Sequence, residues 1–230
     1  MMKYFVPFIA VMALAATLYG QAETAKRPAS AKPAVVKPAA SSVDKGSVSG
    51  RTYTNRSLNF QVTFPDSWLI PGDDFEDEMK KAGFDLTLKA PAGMPVADRA
   101  KINQALKQVT VAVTAYRSIP GSADNAIVRI SLESLAANPQ IKDAVDYFDA
   151  MRNQFKALTL PKDFKYSETQ AEQLGRWQFA FLDSSSDAGK KRLYATVRKG
   201  YAVLFSLSYM SDSDLQTLRQ VLSQANFALK

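Results

Sequence analysis

The chain contains no cysteine and no histidine. Ser-His-Asp and Cys-His catalysis are thereby excluded. The usual zinc and haem ligand sets are excluded with them. Disulfide cross-links are impossible, so stability must come from core burial, which a domain of this length can supply. No cysteine follows the leader-like start, so the lipid-attachment residue of a bacterial lipoprotein is missing. Glycine-rich phosphate loops are missing as well: neither Gly-x-x-x-x-Gly-Lys-Ser/Thr nor Gly-x-Gly-x-x-Gly occurs. A catalyst here would have to be built from Asp, Glu, Lys, Tyr, Ser or Thr.

The 230 residues carry a net charge of +7. From Arg51 onward, 23 basic residues stand against 20 acidic ones, a net +3. Residues 23–50 hold Lys26, Arg27, Lys32, Lys37 and Lys45 against Glu23 and Asp44. The high isoelectric point is therefore largely a property of the N-terminal part. It is poor ground for nucleic-acid binding by the rest, and none is expected.

Lys3 supplies a short positive segment, and Tyr4 to Leu18 forms an apolar run interrupted early by Pro7. Gly20-Gln21-Ala22 reads as a small-x-small cleavage site. The run is shorter than the roughly 20 residues a bilayer span needs. Residues 1–22 are expected to be a signal peptide, leaving no transmembrane span in the mature chain. Residues 23–50 contain Ala, Lys, Pro, Ser and Val but no aromatic, with Pro28, Pro33 and Pro38 at five-residue intervals. Such a stretch buries too little surface to offset its ordering entropy and reads as a disordered, extended linker. It is a spacer or a tether to an anionic surface. One domain is expected over 51–230.

Within that domain Phe60, Val62 and Phe64 alternate with polar residues, as a half-buried strand does. Leu86 and Leu88 suggest a short strand. Val109 to Val113 and Val128 to Leu132 suggest hairpin partners across Pro120-Gly121. Trp177, Phe179 and Phe181 alternate, and Leu193 to Val197 and Tyr201 to Tyr209 flank the turn Lys199-Gly200. Ile141, Ala144, Val145, Phe148, Met151, Phe155 and Leu158 make a helical stripe, with Asn138 as cap and Pro139 opening it. Leu215, Leu218, Val221, Leu222 and Ala225 make a final helix, with Ser213 and Gln216 as a capping box. A short helix over about 73–82 has acids at its start and Lys80 and Lys81 at its end, which suits the helix dipole. The fold class is α+β: an α-β-α sandwich whose mainly antiparallel sheet is covered by helices.

Residues Tyr53 to Trp68 fit the pattern Y-x-N-x-x-x-x-F-x-x-x-F-P-x-x-W. Together with the late strand ending Leu207-Ser208-Tyr209 and a final helix opened by Ser211-Asp212 and closed by Asn226-Phe227, it resembles the PsbP-like family. That family includes the photosystem II extrinsic subunit, a Ran-binding nuclear protein and many exported bacterial proteins. The resemblance implies the sandwich fold and mostly non-catalytic binding. Metal and photosystem contacts of the photosynthetic members lean on histidine and on an N-terminal segment unlike this one. The fold carries over, and no functional residue does.

Four local features are candidate sites. Asp73 to Glu78 lacks the alternating ligands of an EF-hand loop and reads as a solvated helix start. Lys190, Lys191, Arg192, Arg198 and Lys199, near Tyr194 and Tyr201, could form a polyanion surface, but they read as protection of a sheet edge or as a solvated face. Trp68 and Trp177 could stack on a ligand, but they read as core. Paired carboxylates for hydrolysis are not signalled by any spacing. The expected function is that of an exported, periplasmic or extracellular, monomeric and non-catalytic domain that binds a partner protein or an envelope component. No catalytic, cofactor-binding or metal residue is assigned, and no cofactor is expected. The alternatives are a histidine-free carboxylate hydrolase and a polyanion binder using the 190–199 hairpin.

Overall fold

The computed structural model describes residues 43–228, apart from 73, 92, 121, 123, 124 and 188. The expected leader, residues 23–42 of the expected linker, Asp73 and the turn residue Gly121 lie outside the described residues. Three strands, β1 (Ser47–Ser49), β2 (Thr52–Asn55) and β3 (Phe60–Thr63), form one antiparallel sheet. Helices α1 (Phe75–Lys81) and α2 (Val96–Leu106) follow, then β4 (Val109–Tyr116), β5 (Ile127–Ser134) and α3 (Ala144–Phe155). The chain continues through β6 (Lys165–Tyr166), β7 (Gln170–Leu174), β8 (Trp177–Ser186), β9 (Gly189–Arg198) and β10 (Tyr201–Tyr209), and closes with α4 (Asp212–Gln224).

The second sheet runs β4-β5-β10-β9-β8-β6, with β7 also paired to β8, and every pairing in it is antiparallel. The class is α+β, as expected. Positive φ at Lys199 (46°) and Gly200 (77°) makes the two-residue β9–β10 turn, whose twist matches its strands.

Both faces of this sheet are covered. On one face Val128, Ile130 and Leu132 of β5 and Val203, Phe205 and Leu207 of β10 pack under α4 and the three-stranded sheet. Phe227 is the hub of that layer. Its ring is stacked on Phe60 at 5.5 Å and meets Trp177, Phe179 and Phe205 edge-on at 5.5, 5.6 and 6.1 Å. On the other face Leu193 and Ala195 of β9 and Ala202 and Leu204 of β10 lie under Tyr147, Phe148, Met151 and Phe155 of α3, with Ile102 and Leu106 of α2 beside them.

Several expectations are corrected. The stretch expected as linker to residue 50 contains β1, because the Tyr53 hydroxyl donates to Lys45 O at 2.9 Å and the Asn55 amide to Asp44 O at 2.8 Å. Leu86 and Leu88 lie in no strand. Leu86 is held by packing on Tyr116 and Ile127 rather than by a ladder. The cap of α3 is Asp143, not Asn138, since its carboxylate accepts from both Val145 N and Asp146 N at 2.9 Å. The cap of α4 is Ser211 rather than Ser213, with Asp214 N donating to its hydroxyl. No described helix is long and apolar enough to cross a membrane.

Candidate functional site

Antiparallel register sets one row of side chains across the α3-side face of the large sheet. Tyr116, Ile127, Ser208, Lys191 and Ser184 are successive Cα partners on β4, β5, β10, β9 and β8. The next row inward runs Thr114, Arg129, Ser206 and Leu193. Since side chains two residues apart on a strand share a face, both rows point the same way. Lys191 and Arg129 thus sit diagonally across β10 with Ser206 and Ser208 between them.

This corner is buried: Lys191 is 6% exposed and Arg129 is 7% exposed. Arg129 Nη2 donates to Leu86 O at 3.2 Å, which ties the segment after α1 over the site. Lys191 Nζ and Ser206 Oγ are buried with no hydrogen-bond partner among the described residues, and the buried Tyr116 hydroxyl has the Arg129 side chain as its polar neighbour. Burial drives the Lys191 ammonium well below its ordinary pKa, and the neighbouring Arg129 charge pushes the same way. Burial lowers the guanidinium of Arg129 and raises the phenol of Tyr116. The one carboxylate felt by both is Glu76, exposed on α1.

Further along β5 the same face holds a buried acid. Glu133 Oε2 accepts from the Tyr147 hydroxyl of α3 at 2.6 Å. Burial raises its carboxyl to about 7, partly offset by that hydrogen bond. A raised, buried carboxylate is half of what a hydrolase needs. The other half is a substrate pocket with a second acid. The open cleft nearby, about 670 Å³, is lined by residues including Ser134, Ile141, Lys142, Lys199 and Tyr201, and by no Asp or Glu.

The edge-protection reading of the basic hairpin is corrected. β9 is an interior strand, so its lysines protect no edge. Arg192 makes two hydrogen bonds to Asp183, at 2.7 and 2.6 Å, and lies over the Phe181 ring at 4.1 Å. Arg198 donates to Leu58 O and Phe227 O, and Lys199 to Ser57 O and the Asn59 side chain. Lys190 faces Asp212 at 3.7 Å. Tyr194 is buried and donates to Glu172. Arg192 and Arg198 are engaged inside the fold, while Lys190 and Lys199 are exposed at its surface.

Glu76, Asp77 and Glu78 occupy the exposed first turn of α1. No group of three or more potential ligands able to hold a metal ion occurs among the described residues. Trp68 is buried beside Phe64, and the half-buried Trp177 donates its indole N–H to Ala225 O at 3.0 Å. Arg129 and Glu133 were missed by sequence reasoning. They alternate with Val128, Ile130 and Leu132, the pattern of a strand with one wet face. Only the number of elements available to cover the second face could have signalled their burial.

No family model matches the chain, and no curated protein matches it. Among solved structures it is similar to the solution structure of cyanobacterial PsbP from Synechocystis sp., with 15% identity, coverage of 79% of this chain and 97% of that one, and a TM-score of 0.40. It is also similar to a crystal structure from Bacteroides thetaiotaomicron, with 12% identity, coverage of 79% and 49%, and a TM-score of 0.36.

Proposed function

We propose that this chain is an exported, non-catalytic domain that binds a partner protein or an envelope component. The observation that carries the reading is an apolar rim at one end of the large sheet. Ile119 and Met210 follow the ends of β4 and β10, which lie at the same level of the sheet. They are 69% and 53% exposed, and Leu69, bridged to Tyr116, is 43% exposed. Large apolar side chains gathered at one end and left in water are what a contact surface uses. Arg117, paired with Asp214 at 2.7 Å, and Lys190 add a polar margin.

A photo-crosslinking residue placed at Ile119 or at Met210 is expected to give the same adduct in the native envelope. The same residue at Val145, exposed at the start of α3 toward the opposite end, is expected to give none. Equal labelling from all three positions, or none from any, overturns the surface. N-terminal sequencing of exported material is expected to begin at Glu23. An intact Met1 in a membrane fraction overturns the cleaved leader. Glycosidase, esterase or phosphatase turnover lost on substitution of one Asp or Glu would overturn the non-catalytic reading.

A further inference from the structure

We propose that the Arg129–Lys191 corner is a binding site for a small oxyanion, the carboxylate or phosphate group of a ligand. The inference is independent of the apolar rim. It rests on a mismatch between donors and acceptors inside the fold. Two cationic side chains lie on the same sheet face, diagonally across one strand, and both are more than nine-tenths buried. An unpaired buried charge is among the most costly groups a fold can contain. Elsewhere in this protein the engaged cations have partners: Arg192 has Asp183, Arg117 has Asp214, and Arg219 has Glu172. At this corner no aspartate or glutamate stands on either row.

The polar atoms at this corner make the same statement. Lys191 Nζ and Ser206 Oγ can each donate a hydrogen bond and have no partner among the described residues, while the Tyr116 hydroxyl lies beside Arg129 and keeps its own proton to give. The guanidinium spends one N–H on Leu86 O. What the set lacks is an acceptor carrying negative charge. An oxyanion supplies two or more acceptor oxygens and one or two charges, and charge-assisted bonds to a guanidinium and an ammonium are the strong kind. Glu76 is the competing charge, and it is exposed rather than inserted.

The segment that includes α1 and Leu86 covers this corner. That helix buries none of its residues, and the chain after it to residue 91 forms no regular element. Phe75 and Met79 rest on the small cluster of Leu86, Tyr116 and Ile127. The cover over the corner is thus a lightly attached strap, and an anion entering here need not separate sheet from sheet.

The test is calorimetric titration and thermal melting of the exported chain in chloride-free buffer, with inorganic phosphate and with acetate as probes. Saturable binding is expected, with a rise in Tm of roughly 5–10 °C at a hundredfold excess over Kd. Tighter binding of phosphate assigns a phosphoryl group, and tighter binding of acetate assigns a carboxylate. Lys191→Met is expected to melt higher than the parent without anion, because it deletes an uncompensated charge, and to lose at least tenfold in affinity. Ser206→Ala and Tyr116→Phe, which leave both charges in place, are expected to lose about threefold each. Absence of saturable binding by either probe overturns the site. So does an anion response in Lys191→Met equal to that of the parent. If Lys191→Met does not fold, unchanged affinity in both hydroxyl variants overturns it.

Discussion

The two faces of the large sheet are made by the same strands and solve opposite problems. Along β5, Val128, Ile130 and Leu132 turn toward α4, while Arg129, Ser131 and Glu133 turn toward α3. All six are buried. The α4 side closes on a ring cluster around Phe227, and the central strands β5 and β10 bring no ionisable carboxylate, lysine or arginine to it. The α3 side encloses an acid bonded to a tyrosine and, two rows away, a pair of cations without an acid. One layer is built for cohesion. The other keeps charge out of water, which adds little to stability by itself and is a common property of binding sites.

That contrast can be broken from either side. The largest effect is expected on the aromatic face. Phe227→Ala removes the ring shared by four others and should cost about 3–5 kcal/mol, measured by chemical denaturation. A loss below about 1 kcal/mol would mean that the cluster closes without its hub.

The second test concerns Glu133. Its folded carboxyl titrates near 7 against an ordinary value of 4.5. The folded state therefore holds the proton more tightly than the unfolded chain does. The stability this provides is fully present below about pH 4.5 and is lost as pH rises through about 7, a change of about 3 kcal/mol. In Glu133→Gln that component of the pH profile should vanish, whatever constant offset the amide introduces. Parallel profiles for the two proteins would show that Glu133 is not the buried acid described.

The smallest effect is expected at a helix end. Asp143→Ala removes a carboxylate that accepts two backbone N–H groups and should cost about 1 kcal/mol, whereas Asn138→Ala should leave the start of α3 intact. Hydrogen exchange at Val145 and Asp146 distinguishes the two positions.

What was legible in the sequence follows from the same contrast. Where burial and hydropathy agree, as at Phe60 to Val62 and Leu215 to Leu222, the pattern located the element. The Lys199-Gly200 turn was legible because its backbone demands a positive φ. Helix α2 escaped notice because it buries only Ile102, Ala105 and Leu106, too few for a stripe. Leu86 and Leu88 imitated a strand because alternation records which side chains are covered, not whether a neighbouring strand is available. The candidate site was hidden for a deeper reason. A strand with alternating polar residues looks the same whether its second face meets water or a helix. Lys191 was noticed only as one cation in a run. Its distinction from Lys190 lies in which side of the sheet it faces, and that is fixed by pairing with β10.

The β9–β10 turn has a consequence for the order in which the chain can become native. Arg198 and Lys199 bond the backbone at Leu58 and Ser57, some 140 positions earlier, and Asn226 pairs with Gln61 across a similar distance. The hairpin itself is local and closes within microseconds once made. The N-terminal sheet, by contrast, is made first, while α4 and the Phe205 and Phe227 rings that pack on it belong to the last quarter of the chain. Such long-range closure slows folding and prolongs the exposure of Tyr53, Phe60 and Phe64. For a chain that begins at one end and is completed at the other, the aromatic face is the earliest to be synthesised in part and the last to be finished.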